Sequence, residues 1–182
     1  MNNARNVAQK LGDTLFIRLE DIDMDSQGNI YIAETGADSV DLSSYISNGG
    51  VIANHLLPKH VGSNRYDDPY GRVLKLDPVT LGLSVLIEGG TASDGKTNFA
   101  SVDNIQIDRA RNIIYLQEDL ISGTRGRQPS YITSSSNWVC EVYALSLSIP
   151  NPTVNDLKRF ANFPKGAEAT GGYFTPDYNN FF

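Results

Sequence analysis

The chain has 182 residues, 40% of them hydrophobic and 9% aromatic, a composition that suits one globular domain and excludes a disordered segment. Its net charge of −6 argues against a nucleic-acid partner, which calls for clustered Lys and Arg; it is compatible with cation binding or with a plain acidic surface. No apolar run of about 20 residues occurs, so no membrane-spanning helix is expected. A single cysteine, Cys140, excludes an internal disulfide, and the residues after Met1 lack the hydrophobic stretch of a secretory signal.

Residues 1–14 read as weakly helical. A repeat follows: residues 19–35 (LEDIDMDSQGNIYIAET) match residues 102–119 (VDNIQIDRARNIIYLQED). Aligned on Asp25 and Asp108, each copy has an acidic tip, an alternating strand, a turn ending in Asn29 or Asn112, and a second strand. That second strand ends in a carboxylate, at Glu34 or at Glu118–Asp119. The copies differ by one residue there, which predicts a bulge or slip in one of them. Asp25, Asp108 and the later Asp177 stand at turn positions and are read as turn-forming.

A variable loop and a second hairpin follow each copy. The first has GRVLKLD (71–77), a turn at Pro78 and LSVLIEGG (83–90). The second has CEVYALSL (140–147), a Pro/Asn-rich turn and LKRFANFP (157–164). Cys140 lies in a strand-like run with Val142 and Ala144 and is read as a buried structural thiol. The loops 36–70 and 120–138 are long and polar; Val51–His60 reads as a helical turn, and His55 and His60 as surface residues. Neither Ser43–Ser44 nor Ser134–Ser136 has the G-x-S-x-G context of a serine nucleophile.

Strand, strand, excursion, strand, strand, repeated after about 80 residues, is the pattern of four-stranded propeller blades. The expected fold is an all-β propeller segment within a single domain, 1–182. One blade spans 16–90, another 100–164, and a third begins at 166–182. Propellers close with about four to eight blades, so the remainder is expected from the rest of a longer polypeptide or from other chains.

Inner strands of propeller blades line a central channel. The repeat puts Glu20 and Asp21, Asp103 and Asn104, and Glu168 at related inner-strand positions, with Glu34, Glu118 and Asp119 closing the second strands nearby. Carboxylates converging at one mouth repel one another unless cations are present, and oxygen donors in this number suit Ca²⁺, which takes about six to eight. The plainer alternative is turn caps and solvated carboxylates. Arg18 precedes Glu20 by two positions on an alternating strand; it is either a paired charge or a clamp for phosphate oxygens.

At these residues the sequence resembles the PhoX-type alkaline phosphatases. The matching segments are FIRLEDIDMDSQGNIYIAETG (16–36), GRVLKLDP (71–78), VDNIQIDRARNIIYLQED (102–119) and EATGGYFTPDYNNFF (168–182), in the family's order. The resemblance implies a six-bladed propeller with a calcium and iron cluster in its channel, hydrolysing phosphate esters in the periplasm or extracellular space. It implies metal-ligand roles for Glu20, Asp103, Asn104, Glu118 and Glu168, and a phosphate contact for Arg18; Asp119 completes the family's E-D pair. Leu19 stands where the family has proline. The family's iron-ligating cysteine belongs to an N-terminal region outside these residues, so this segment alone is expected to be inactive. Two other readings are a non-catalytic, calcium-stabilised propeller serving as a binding or assembly module, and a lactonase-like calcium hydrolase.

Overall fold

A computed structural model describes residues 4–90, 98–120 and 139–182. The loop at 120–138 and Ser134–Ser136 therefore lie almost wholly outside the described residues. The chain opens with helix α1 (Ala4–Lys10), followed by strands β1 (Thr14–Leu15), β2 (Leu19–Met24), β3 (Ile30–Glu34) and β4 (Ala37–Asp41). Helix α2 (Ser43–Ser47), β5 (Val51–Ile52), a 3₁₀ turn (Asn54–Lys59), β6 (His60–Gly62) and β7 (Arg65–Asp68) come next. Then follow β8 (Arg72–Leu76), β9 (Leu83–Glu88), β10 (Val102–Asp108), β11 (Ile113–Glu118), β12 (Glu141–Ser146) and β13 (Lys158–Asn162).

The repeats become two antiparallel four-stranded meanders, ordered β2-β3-β8-β9 and β10-β11-β12-β13; neither closes into a barrel. Their facing sides share one core. Tyr31, Ala33, Val73 and Ile87 of the first sheet pack with Val102, Ile105, Ile107, Ile114, Leu116, Tyr143 and Leu145 of the second. The alternation of the strands sends every second residue into this layer, and that burial is the main drive for stacking the sheets.

Both hairpins carry a bulge at the acidic tip, between Leu19 and Ile22 and between Val102 and Asn104, rather than in one copy only. Leu19 pairs with Glu34, and Val102 with Glu118, so these two glutamates are equivalent. The extra residue of the second copy sits instead in its turn, where Asn112 takes a left-handed φ of 56°. The turn aspartates behave as expected. Asp25 Oδ1 accepts from the amides of Gln27 (2.8 Å) and Asn29 (2.9 Å), Asp108 Oδ1 from Arg111 (2.9 Å), and Asp177 Oδ1 from Asn179 (3.1 Å).

Residues 36–70 are not a bare loop. They build a small three-stranded sheet, β4-β7-β6, and β5 pairs in parallel with β1. Ile17, Leu42, Tyr45, Ala53, Leu56 and Tyr66 give this insertion its own core. It enters and leaves through Gly36 (φ 78°) and Gly71 (φ 68°). A Cβ on Gly36 would stand 2.2 Å from the Asp68 carbonyl oxygen, and one on Gly71 would stand 2.3 Å from that of Glu34.

Candidate functional site

The start of β2, the start of β10, the residue after β11 and the segment after β13 meet at one end of the two meanders. Arg18 is the centre of what they assemble. It lies just outside β2 with a left-handed φ of 60°, so strand alternation does not aim it. The turned backbone brings Arg18 Nε to 3.2 Å from Glu20 Oε1, and Nη2 to 3.7 Å from Asp103 Oδ1 and 3.9 Å from Asp119 Oδ2.

Asp103 is held above the ordinary aspartate range, first by burial and then by the charges of Glu20 and Asp119, against the pull of Thr35 and Arg18. Glu168 is also raised, first by residual desolvation and then by Asp119 and Asp103. Glu20 and Asp119 thus act on Asp103, and Asp119 and Asp103 on Glu168. Two threonines that the sequence reading passed over set their supports. Thr35 Oγ1 donates to the Val102 carbonyl (2.9 Å) and to Asp103 Oδ1 (3.2 Å), and Thr170 Oγ1 donates to Asn104 Oδ1 (2.6 Å). The legible signal was a recurring Thr-Gly, at 35–36 and at 170–171.

Asp21 and Asn104 sit one residue along from Glu20 and Asp103. Asn104 Nδ2 approaches Asp21 Oδ2 at 3.5 Å, and that oxygen accepts the Ile105 amide at 2.9 Å.

The remaining two predicted site residues turn inward, into separate buried pockets. Glu34 Oε1 accepts the Ile17 amide (2.6 Å), while Oε2 meets Arg72 Nη1 (2.6 Å) and His55 Nε2 (2.7 Å). Burial by itself raises Glu34, yet His55, Arg72 and the Ile17 amide together hold it below the usual glutamate range. Arg72 Nη2 also pairs with Asp68 (2.7 Å) and approaches Glu88 (3.4 Å), which Lys59 meets at 2.5 Å. His55, expected at the surface, is instead partly buried against Glu34. Glu118 is fully enclosed: Oε1 accepts the Ala100 amide and Oε2 the Glu141 amide, both at 2.9 Å. Burial lifts Glu118 well above the glutamate range.

Among the described residues, no three His, Cys, Asp or Glu side chains lie close enough to hold a metal ion by themselves. The donor chemistry at the cluster nonetheless fits a hard cation, because all its members present oxygens and carry more negative charge than Arg18 offsets. Softer ligands are absent from it among the described residues. Cys140 is buried, accepts the Leu120 amide at 3.3 Å and has its thiol pushed up to about 11, while His55 is held by Glu34.

Stacked antiparallel meanders with an arginine-centred carboxylate cluster at their ends define a protein built mainly of antiparallel β-sheets. The sequence matches the family described as Alkaline phosphatase PhoX over residues 1–182, the whole chain, and the chain belongs to that family. That family is one of metal-dependent, alkaline phosphatase-type phosphatases. No curated protein and no solved structure matches the chain. Among the described residues no helix is long and apolar enough to cross a membrane.

Proposed function

We propose that this chain forms part of a secreted, PhoX-like metallophosphatase that hydrolyses phosphate monoesters at the cluster around Arg18. The two meanders serve as propeller blades, 16–90 and 100–164, and residues 166–182 begin a third within a six-bladed ring. Their face-to-face packing and the adjacency of β2 and β10 support that arrangement. The observation that carries the function is Arg18 among Glu20, Asp103 and Asp119, with Glu168 adding to their field.

The oxygen donors proposed to hold Ca²⁺ are Glu20, Asp103, Asp119 and Glu168, with Asn104 and Asp21 beside them. Iron would draw on ligands from the rest of the protein. Bound cations supply charge that polarises the phosphoryl oxygens and offsets the negative charge developing on them. Arg18 contributes a planar fork that holds two of those oxygens, and Thr35 keeps Asp103 in place beneath it.

The test is metal content of the intact protein together with p-nitrophenyl phosphate turnover, with and without chelator. Bound calcium and iron with chelator-sensitive hydrolysis, reduced on the order of 100-fold by Arg18→Ala, is the expected result. Turnover indifferent to chelator would overturn it. A second reading, a calcium-stabilised binding or assembly module, is favoured by the way Arg18 already pairs with three carboxylates. Calcium without any turnover would establish that reading instead.

A further inference from the structure

Arg18 reaches its three carboxylates from a backbone that turns left-handed, with φ 60°. That conformation is unfavourable for a residue bearing a Cβ, so the surroundings must impose it. Hydrogen bonds on both sides of the turn do so. The Arg18 carbonyl accepts the Thr35 amide (2.9 Å), and the Ile17 carbonyl accepts the Gly36 amide (3.1 Å). The Ile17 amide donates to Glu34 Oε1 (2.6 Å), and this contact alone of the three uses a side chain.

Glu34 is itself held from two directions. Its Oε2 meets Arg72 Nη1 of β8 at 2.6 Å and His55 Nε2 of the insertion at 2.7 Å, and its side chain is fully buried. Swinging away from Ile17 would leave Arg72 without its counter-charge in the core. The second hairpin repeats the device with another residue at the turn. Ser101 has a φ of 52°, its carbonyl accepts the Asp119 amide (2.9 Å), and the Ala100 amide before it donates to Glu118 Oε1 (2.9 Å). Arg18 and Ser101 line one small hollow together with Asp119. A buried glutamate therefore braces the same turn in both meanders, whichever side chain the turn carries.

We propose that Glu34, steadied by Arg72 and His55, is a positioning residue for Arg18. It fixes the turn that presents the guanidinium to the phosphoryl group and does not touch the substrate itself. The inference rests on the phosphatase reading of the cluster. A guanidinium fork grips two phosphoryl oxygens only when its plane is fixed, so loosening the turn weakens that grip while every cluster side chain stays in place.

The experiment places Glu34→Gln and His55→Ala separately in the full protein, with calcium present, and reads each in two ways. Hydrogen exchange of the Ile17 amide reports the turn. Calorimetric affinity for methylphosphonate, which is not hydrolysed, reports the fork. Glutamine has one acceptor oxygen where Glu34 uses two, and Arg72 claims it, so the Ile17 amide loses its partner. Glu34→Gln should speed exchange and weaken methylphosphonate about 10-fold; His55→Ala, which leaves Arg72 on Glu34 and keeps the fold if Glu34→Gln loses it, should weaken it about 3-fold. Neither should weaken it further in an Arg18→Ala background, a non-additivity that a merely structural role would not produce. Unchanged exchange in both variants, unchanged affinity despite faster exchange, or equal losses with and without Arg18 each overturn the positioning role while leaving the phosphatase reading. Arg18→Ala without effect on methylphosphonate affinity removes that reading, and the turn's part in binding with it.

Discussion

Glu34 and Glu118 end the second strands of the two meanders, and each accepts the amide of the residue three positions before its acidic tip, Ile17 or Ala100. The backbone requirement is identical, but the surroundings are not. β8 supplies Glu34 with Arg72 and the insertion supplies it with His55, so it is held as a carboxylate; Glu118 is enclosed with Glu141 nearby, so burial favours its proton. One structural position thus supports two electrostatic solutions, and the choice comes from residues distant in sequence. The coverings differ in parallel. An aromatic group of Tyr115, Phe160, Phe174 and Phe181 closes the outer face of the second sheet, whereas Ile22, Met24, Leu83 and Val85 of the first remain largely exposed.

The largest effect should come from Arg72→Met, which strands Glu34 and Asp68 in a buried site without their counter-charge. A loss of about 3–5 kcal/mol is expected, lowering the thermal midpoint on the order of 10 °C. An unchanged midpoint in a melting experiment would break the comparison at its root. Next, Glu34→Gln should cost about 3 kcal/mol by removing the charge that faces Arg72, while Glu118→Gln should cost about 1–2 kcal/mol, the loss of one of the two amide hydrogen bonds its oxygens accept, since a side-chain NH2 cannot accept. Equal costs in urea unfolding would erase the distinction.

The two glutamates should also respond oppositely to pH. Glu34 is depressed in the folded state, so its stabilisation is present above the ordinary glutamate value of about 4.3 and is lost as pH falls through its lower folded value. Glu118 is raised, so its contribution is full below that ordinary value and is lost as pH climbs toward its folded one. Unfolding free energies at successive pH values should therefore show the gap between wild type and Glu34→Gln closing in acid; a constant gap would refute the assignment. The smallest contrast concerns the coverings. Phe181→Ala, removing a ring stacked 5.5 Å from Tyr115, should cost about 1–2 kcal/mol. Val85→Ser on the exposed face should stay within about 0.5 kcal/mol. A large loss at Val85 would mean that this face is covered in solution.

Much of the strand pattern was legible because alternation and turn chemistry are local. Asp25 and Asp108 announce their turns, and the repeat places Glu20 opposite Asp103 in equivalent hairpins. The equivalence of Asn29 with Asn112 misled, since pairing holds Glu34 and Glu118 in register and lets the turn absorb the extra residue. The insertion at 36–70 was missed because its core is assembled from single apolar residues such as Leu42, Leu56 and Tyr66, spread among polar neighbours with no period of their own.

The two meanders, the acidic strand ends and the family are legible from short-range pattern and matched segments. Which carboxylates face one another is set by packing. Arg18 gathers Glu20, Asp103 and Asp119 through a left-handed backbone turn that no alternation rule describes. Glu34 and Glu118 leave the cluster because the entering backbone at Ile17 and Ala100 needs buried acceptors. A buried amide must find an acceptor, and Glu34 and Glu118 become those acceptors only once the sheets are packed.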